Sequence, residues 1–290
     1  MELVAHLWSK KFPIVAFVFV ISALTVVGVL QLENEYRSEV KLYPKSSDTG
    51  ELGNLAGQFG GLASLAGINI PGGGNEEVGL ALEILKTKDF ISGFVNKNDY
   101  LVPIFAVEKW NRGTNELILD PEIYDEASKT WVRKLREGQS LIPSDKETFE
   151  VFSESLSVTT DPETNVTVIG FTHYSPTFAK SVLDNLVGEL NEYMRQNARK
   201  DAIRSLTFLD EQVKTTKIAG VKATLFQLIE EQTKKLMLTE VSKDYVFQVI
   251  DQAYVPEKKA KPFRALIVLT AAFVAGFLAC LWFTVRLFTK

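Results

Sequence analysis

Apolar and polar positions divide this chain into three zones. Phe12 to Leu32 and Ala265 to Val285 carry no charged residue, and each run, about 21 residues long, rises roughly 31 Å as a helix, the hydrocarbon thickness of a bilayer. The pattern predicts two membrane helices, 12–32 and 265–285, bracketing a hydrophilic stretch, 33–264. A cleaved signal peptide fits the first run poorly, because its apolar core is too long and no small-x-small cleavage site follows. The length and uncharged character of the second run argue against a buried core helix. In that run Ala272, Gly276 and Cys280 recur every four residues beside Ala271, Ala275 and Ala279, a small-residue face on which another helix can approach closely.

Inside the hydrophilic stretch the period changes several times. Tyr36 to Tyr43 alternates, with Tyr36, Val40 and Leu42 nearly on one face and Pro44 ending the run, so a strand begins as the chain leaves the membrane. Ten of the eighteen glycines lie between Gly50 and Gly79. Within that segment Leu52, Leu55, Phe59, Leu62 and Leu65 keep helical spacing, which predicts either a mobile loop or a weak helix that packs on a neighbour. Asn75 is placed to cap a helix carrying Val78, Ala81, Leu82 and Leu85, and Lys88 to Asn96 continues with Phe90, Ile91, Phe94 and Val95. A helix is expected near Pro121 to Arg136, and another from Pro143-Ser144-Asp145 with Phe149 and Phe152 inward. Leu156 to Thr160 and Val166 to Tyr174 read as a hairpin around the turn Asp161 to Asn165.

The longest pattern follows Ser175-Pro176, an N-cap and first-turn pair. Ala179, Val182, Leu183, Leu186, Leu190, Tyr193, Met194, Ala202, Leu206, Leu209 and Val213 form one stripe without a proline, roughly 40 residues or ~60 Å of helix. Leu186, Leu190, Tyr193, Leu206 and Leu209 are the candidate packing and oligomer residues. After a turn near Ile218-Ala219-Gly220, a second stripe of Val221, Leu225, Leu228, Ile229, Leu236 and Val241 can cover the first, giving a helical hairpin over 176–240. Asp244 to Val255 then reads as a strand able to pair beside Tyr36 to Tyr43. Pro256 and Pro262 bracket a cationic connector, 256–264, ending at Arg264, whose lysines face lipid headgroups or glycolipid phosphates in this reading.

Charge orients the chain. Lys10 and Lys11 precede the first span and Arg286 and Lys290 follow the second, so the tails 1–11 and 286–290 are expected in the cytoplasm and 33–264 outside it, in the periplasm of a bacterial inner membrane. Lys258, Lys259, Lys261 and Arg264 run against the rule, which long translocated domains tolerate. The chain has 36 acidic and 32 basic residues, and four of the cations lie in the tails, so the outer domain is acidic and suits no nucleic acid.

Composition removes several chemistries. One cysteine, Cys280, and two histidines, His6 and His173, build no disulfide framework, zinc cluster or Cys-His dyad. The glycine-rich segment lacks the Gly-Lys-Ser/Thr of a phosphate loop, and no G-x-S-x-G accompanies His173, which is expected to be structural. A glycosidase-type carboxylate pair has no sequence spacing and gains no support here. No catalytic, cofactor-binding or metal residue is expected, and the tails are too short for an enzyme.

The chain resembles the bacterial polysaccharide co-polymerases, the chain-length determinant proteins of the Wzz type, over nearly its whole length. The resemblance lies in Glu35-Tyr-Arg-Ser-Glu-Val40, the run from Phe59 to Gly67, Ala81 to Phe90, and Ile250-Asp-Gln-Ala253 with Pro256, Pro262 and Arg264. One departure is Lys259, near where the family's connector usually has a further proline. The resemblance implies an α+β periplasmic domain near the membrane, with base segments 33–175 and 241–255 and a long projecting helix. It also implies side-by-side assembly of several protomers, and a non-enzymatic role in setting how many repeat units a separate polymerase adds to a lipid-linked O-antigen or related polysaccharide. The kinase-bearing branch carries a nucleotide-binding domain after its second span, which is not expected here. An envelope or export adaptor and a sensor-like scaffold are the other classes the pattern admits.

Overall fold

A computed structural model describes residues 11–45, 74–242 and 244–288. The chain divides into two units, one of Met1–Arg37, Thr172–Pro176 and Pro256–Lys290 and the other of Ser38–Phe171 and Thr177–Val255. The stripe Leu52 to Leu65 lies outside the described residues.

The first unit holds the apolar helices α1 (Lys11–Leu30) and α8 (Arg264–Phe288). They pack on each other through small residues: Ala275 and Ala279 are buried, as is Val29. A Cβ on Gly276 would meet Val18 Cγ2 at 3.7 Å. Only 6% and 11% of their most apolar windows is buried, whereas a core helix of a soluble domain hides most of its surface. Outward Phe12, Phe19, Leu24, Leu269, Phe273 and Trp282 are exposed, as side chains solvated by lipid must be. Inside these helices Thr25, Thr270 and Thr284 return their hydroxyls to carbonyls one turn back, so these three donors are satisfied within the helix.

The second unit is α+β. Its sheet has the order β6 (Leu156–Thr160), β7 (Thr167–His173), β1 (Tyr36–Pro44), β8 (Phe247–Asp251). The alternation in β1 buries Ser38, Val40 and Leu42, and its antiparallel pairing with β8 sets Leu42 opposite Val249 and Pro44 opposite Phe247. The hairpin β6–β7 pairs Leu156 with Phe171 through Thr160 with Thr167. Helices α2 (Gly74–Ile84), α3 (Lys88–Lys97), α4 (Leu101–Phe105) and α5 (Asp145–Ser155) complete the base. α2 begins at Gly74, so Asn75 lies inside the helix instead of capping it. α3 is capped by Thr87, whose side chain accepts from Phe90 N, and α5 by a reciprocal capping box between Ser144 and Glu147.

The core joins these elements to the first half of the long helix α6 (Pro176–Thr215). Ile91, Phe94, Phe152, Ile169, Phe171, Val182, Leu183, Leu186 and Leu190 share one cluster. Phe94 meets Phe152 edge-on with ring centroids 5.8 Å apart, and Phe152 stacks on Phe171 at 5.0 Å. Each such side chain contributes about 1.5–3 kcal/mol on burial, which makes this cluster the main source of the base's stability.

The helix expected over Pro121 to Arg136 does not form. Short hairpins take its place: β2 (Val107–Asn111) with β3 (Glu116–Leu119), and β4 (Tyr124–Asp125) with β5 (Thr130–Trp131). Local side chains satisfy the backbone before a helix can. Asp120 Oδ1 accepts from Glu122 N at 2.8 Å, Asp125 Oδ1 accepts from Ala127 N at 3.1 Å, and Lys129 turns the chain with φ of 53°. Asp side chains compete with helical bonding in this way. Trp131 then packs edge-on against Tyr124 at 5.3 Å, where a helix would have spread these rings apart.

Candidate functional site

The candidate sites are the places where distant sequence patterns converge. The first is the joint at the ends of the apolar helices. Glu35 N donates to Lys261 O at 3.0 Å and Ala260 N donates to Glu35 O at 2.7 Å, a single antiparallel bridge. Lys261 Nζ lies 3.7 Å from Glu35 Oε2. Arg264 Nη2 donates to Leu32 O at 2.9 Å, completing a carbonyl just beyond α1 that no helical N–H can reach. Pro256 is buried and Pro262 half-buried, which fixes the connector against this bridge. Within the second unit, Ser38 Oγ donates to Tyr254 O at 2.6 Å, fastening β1 to the residues that follow β8.

The second candidate is the long helix. Its first half is consumed by the core: Leu186 and Leu190 are fully buried, so these two serve folding of the protomer. Tyr193, 44% exposed, stands edge-on to Phe90 at 5.6 Å. Past the base, Ala202 and Leu209 are buried and Leu206 half-buried. The chain turns at 216–218 into α7 (Ala219–Val241). At its other end Arg195 Nη1 donates to Thr239 O at 3.1 Å and Arg199 pairs with Glu240 at 2.9 Å. Joined by the turn at one end and by these bonds at the other, α6 and α7 run antiparallel. Leu225, Ile229 and Leu236 are half-buried, whereas Val221, Leu228 and Val241 of the same predicted stripe are exposed, as are Phe208 and Phe226.

Asn191 is the residue the sequence pattern missed. It sits at 3% exposure within the apolar stripe of α6. Its Oδ1 accepts from Val246 N at 3.0 Å and Phe247 N at 2.9 Å, and its Nδ2 donates to Phe247 O at 2.9 Å. One amide therefore pins the start of β8 to the long helix. No local signal announces a contact across 55 residues.

The third candidate is the helix pair. Ala272, Gly276 and Cys280 are half-buried and flank Ala275 and Ala279 on the face toward α1. At one end of this pair an apolar groove of about 670 Å³ opens between Pro13, Phe17, Leu278, Leu281, Trp282 and Val285.

The titratable groups with shifted acidity, and His173, have local partners. His173 is buried, and its Nδ1 accepts from Ser175 N at 3.1 Å, which makes it a turn-stabilising imidazole. Glu147 is held down to about 2, first by its hydrogen bond from Arg133 and then, against the cost of burial, by Ser144 N and the Arg133 charge. Tyr245 is pushed up to about 12 by burial and by the carboxylate of Glu77, to which it donates. Burial and the charges of Glu35 and Glu33 likewise raise Tyr174. These are structural pairings on the flanks of packed elements. A cleft of about 450 Å³ beside α6 and β8 is lined by Asp184, which accepts from Lys180, and by Asn191, whose amide bonds Val246 and Phe247, together with Asp244 and Gln252. Among the described residues no three His, Cys, Asp or Glu gather to hold a metal.

No family model matches the chain, and no curated protein matches it in sequence. Solved structures do. A full-length bacterial polysaccharide co-polymerase aligns over 98% of this chain and 96% of its own, at 13% identity and a TM-score of 0.39. A fragment of WzzB, a polysaccharide co-polymerase from Salmonella Typhimurium, aligns over 79% of this chain and 100% of its own, at 10% identity and a TM-score of 0.32. Both of these solved structures are polysaccharide co-polymerases.

Proposed function

We propose that this chain is a two-span inner-membrane co-polymerase that regulates the length of a surface polysaccharide without making or breaking glycosidic bonds. The observation that carries the reading is the convergence of the resembling motifs. Glu35-Tyr-Arg-Ser-Glu-Val40 and the segment from Ile250 to Arg264 stand more than 200 residues apart in sequence. They meet through the Glu35–Lys261 bridge, the Ser38–Tyr254 bond and the β1–β8 pairing. In this reading the residues that carry the resemblance act together instead of being scattered coincidences.

In this reading both tails are cytoplasmic, 33–264 is periplasmic, and several protomers stand side by side through their bases and the α6–α7 pair. The assembly holds or times a separate polymerase acting on a lipid-linked glycan, O-antigen or a related polymer. The half-covered stripe of α7 supports protomer contacts, because exposed Phe208, Phe226 and Leu228 gain by leaving water.

Deleting the gene and running lipopolysaccharide on a gel beside a complemented strain tests this. The expected result is collapse of a clustered ladder of lengths to a random one, restored on complementation. An unchanged ladder, with capsule and exopolysaccharide also unchanged, would overturn it. Turnover of lipid-linked glycan by the purified protein alone would overturn the non-enzymatic part.

A further inference from the structure

The joint at the helix ends carries more positive charge than its carboxylates use. Lys258, Lys259, Lys261 and Arg264 fall within one short connector, on the side of the second span where the positive-inside bias disfavours cations. Glu35 engages Lys261, and Glu33 and Glu35 bear on Tyr174. Lys258 and Lys259 are exposed, and among the described residues no carboxylate lies within ion-pair distance of either. Arg264 spends Nη2 on Leu32 O, which holds its guanidinium at the joint. Exposed ammonium groups without a carboxylate partner beside an apolar helix attract anionic headgroups. Beside Arg264, Phe263 is 67% exposed, an aromatic ring with nowhere to go but an apolar phase.

We propose that this joint binds the phosphate of an anionic lipid: the exposed ammonium groups of Lys258 and Lys259 donate to the phosphate oxygens, the Arg264 guanidinium adds its charge, and Phe263 enters the acyl region. The proposal rests on the reading of α1 and α8 as membrane spans. Two sources share this chemistry, a bilayer phospholipid such as phosphatidylglycerol and the diphosphate of a polyprenyl carrier. Site occupancy would couple the Glu35–Lys261 bridge to the lipid at the membrane surface.

Native mass spectrometry of the full chain in detergent, with equal dioleoylphosphatidylglycerol, dioleoylphosphatidylcholine and a polyprenyl diphosphate, reads this directly. The anionic lipids are expected to be retained about tenfold over phosphatidylcholine, given the usual strength of a juxtamembrane basic residue. The preference should fall in K258Q/K259Q, which alters only exposed side chains, and fall in R264Q. The ratio between the two anionic lipids identifies the source. Equal retention of phosphatidylcholine, or an anionic preference unchanged in both variants, would overturn the site. Recovery of the chain in the soluble fraction after membrane washing would overturn the spans themselves, a separate failure.

Discussion

Asn191→Leu removes a side chain that bonds the start of β8 to the long helix, and its cost can be worked from the geometry. Leucine fills much the same volume, so the change isolates the polar contacts. Two N–H groups, of Val246 and Phe247, and the carbonyl of Phe247 lose their partner. Val246 and Phe247 are 1% and 0% exposed, so water does not replace it without opening the core. At about 1–3 kcal/mol for each buried group left unpaired, partly relieved by local shifts, the loss is about 3–4 kcal/mol. A unit of this size shifts by roughly 2–4 °C per kcal/mol, so the melting temperature falls by about 10 °C. Differential scanning fluorimetry of the full chain in detergent, reading Trp110 and Trp131 of the base, measures it. Asn191→Asp keeps the acceptor for both N–H groups but points a second oxygen at the Phe247 carbonyl, and should fall between. A shift under about 2 °C for Asn191→Leu would refute the reasoning, because it would mean that the start of β8 does not depend on these bonds.

Glu147→Gln should lower the melting temperature at neutral pH by several degrees, a loss of about 1–2 kcal/mol after allowing for solvent at the rim of the Arg133 pair. Because Glu147 titrates at about 2 instead of its ordinary 4.5, its contribution is present above about 4.5 and is lost as pH falls toward 2. The wild type should therefore lose stability across that window and the variant should lose less, as thermal scans from pH 6 to 2.5 will show. In the membrane, Val18→Cys with Gly276→Cys in a Cys280→Ser background should form a disulfide within one chain, since a Cβ on Gly276 stands 3.7 Å from the Val18 side chain; only interchain product on a non-reducing gel would contradict the α1–α8 pairing. Phe226→Glu, on an exposed side chain, should leave the melting temperature within about 1 °C yet change assembly mass and glycan lengths, whereas Leu186→Asp should unfold the base. Unchanged mass and lengths for Phe226→Glu would remove α7 from the protomer contact.

Local rules made much of the base legible. The capping chemistry of Ser144, the turn residues between Leu156 and His173, and the unbroken stripe after Pro176 each act over a few residues, and their elements stand where the periods put them. The region from Pro121 to Arg136 was misread because its apolar residues fit a helix while Asp120, Asp125 and Lys129 favour turns. Asn75 lies inside its helix because the helix begins at Gly74, two residues before the expected start. Of the packing residues, the pattern marked Leu186, Leu190 and Leu206 alike, but periodicity identifies an apolar face without naming what covers it.

By itself the sequence determined the two apolar helices, the strand leaving the first of them, the 40-residue helix, and the lack of cysteine and histidine for metal or thiol chemistry. Those follow from length, period and composition, which are local or additive. Only the tertiary structure decided that Glu35 meets Lys261, that Arg264 completes the carbonyl of Leu32, that Asn191 holds β8, and that Leu186 belongs to the core while Phe226 remains exposed. Each of these joins residues far apart in the chain. A hydrogen bond or a buried contact between them depends on where the packed elements bring their atoms, which spacing along the chain does not encode.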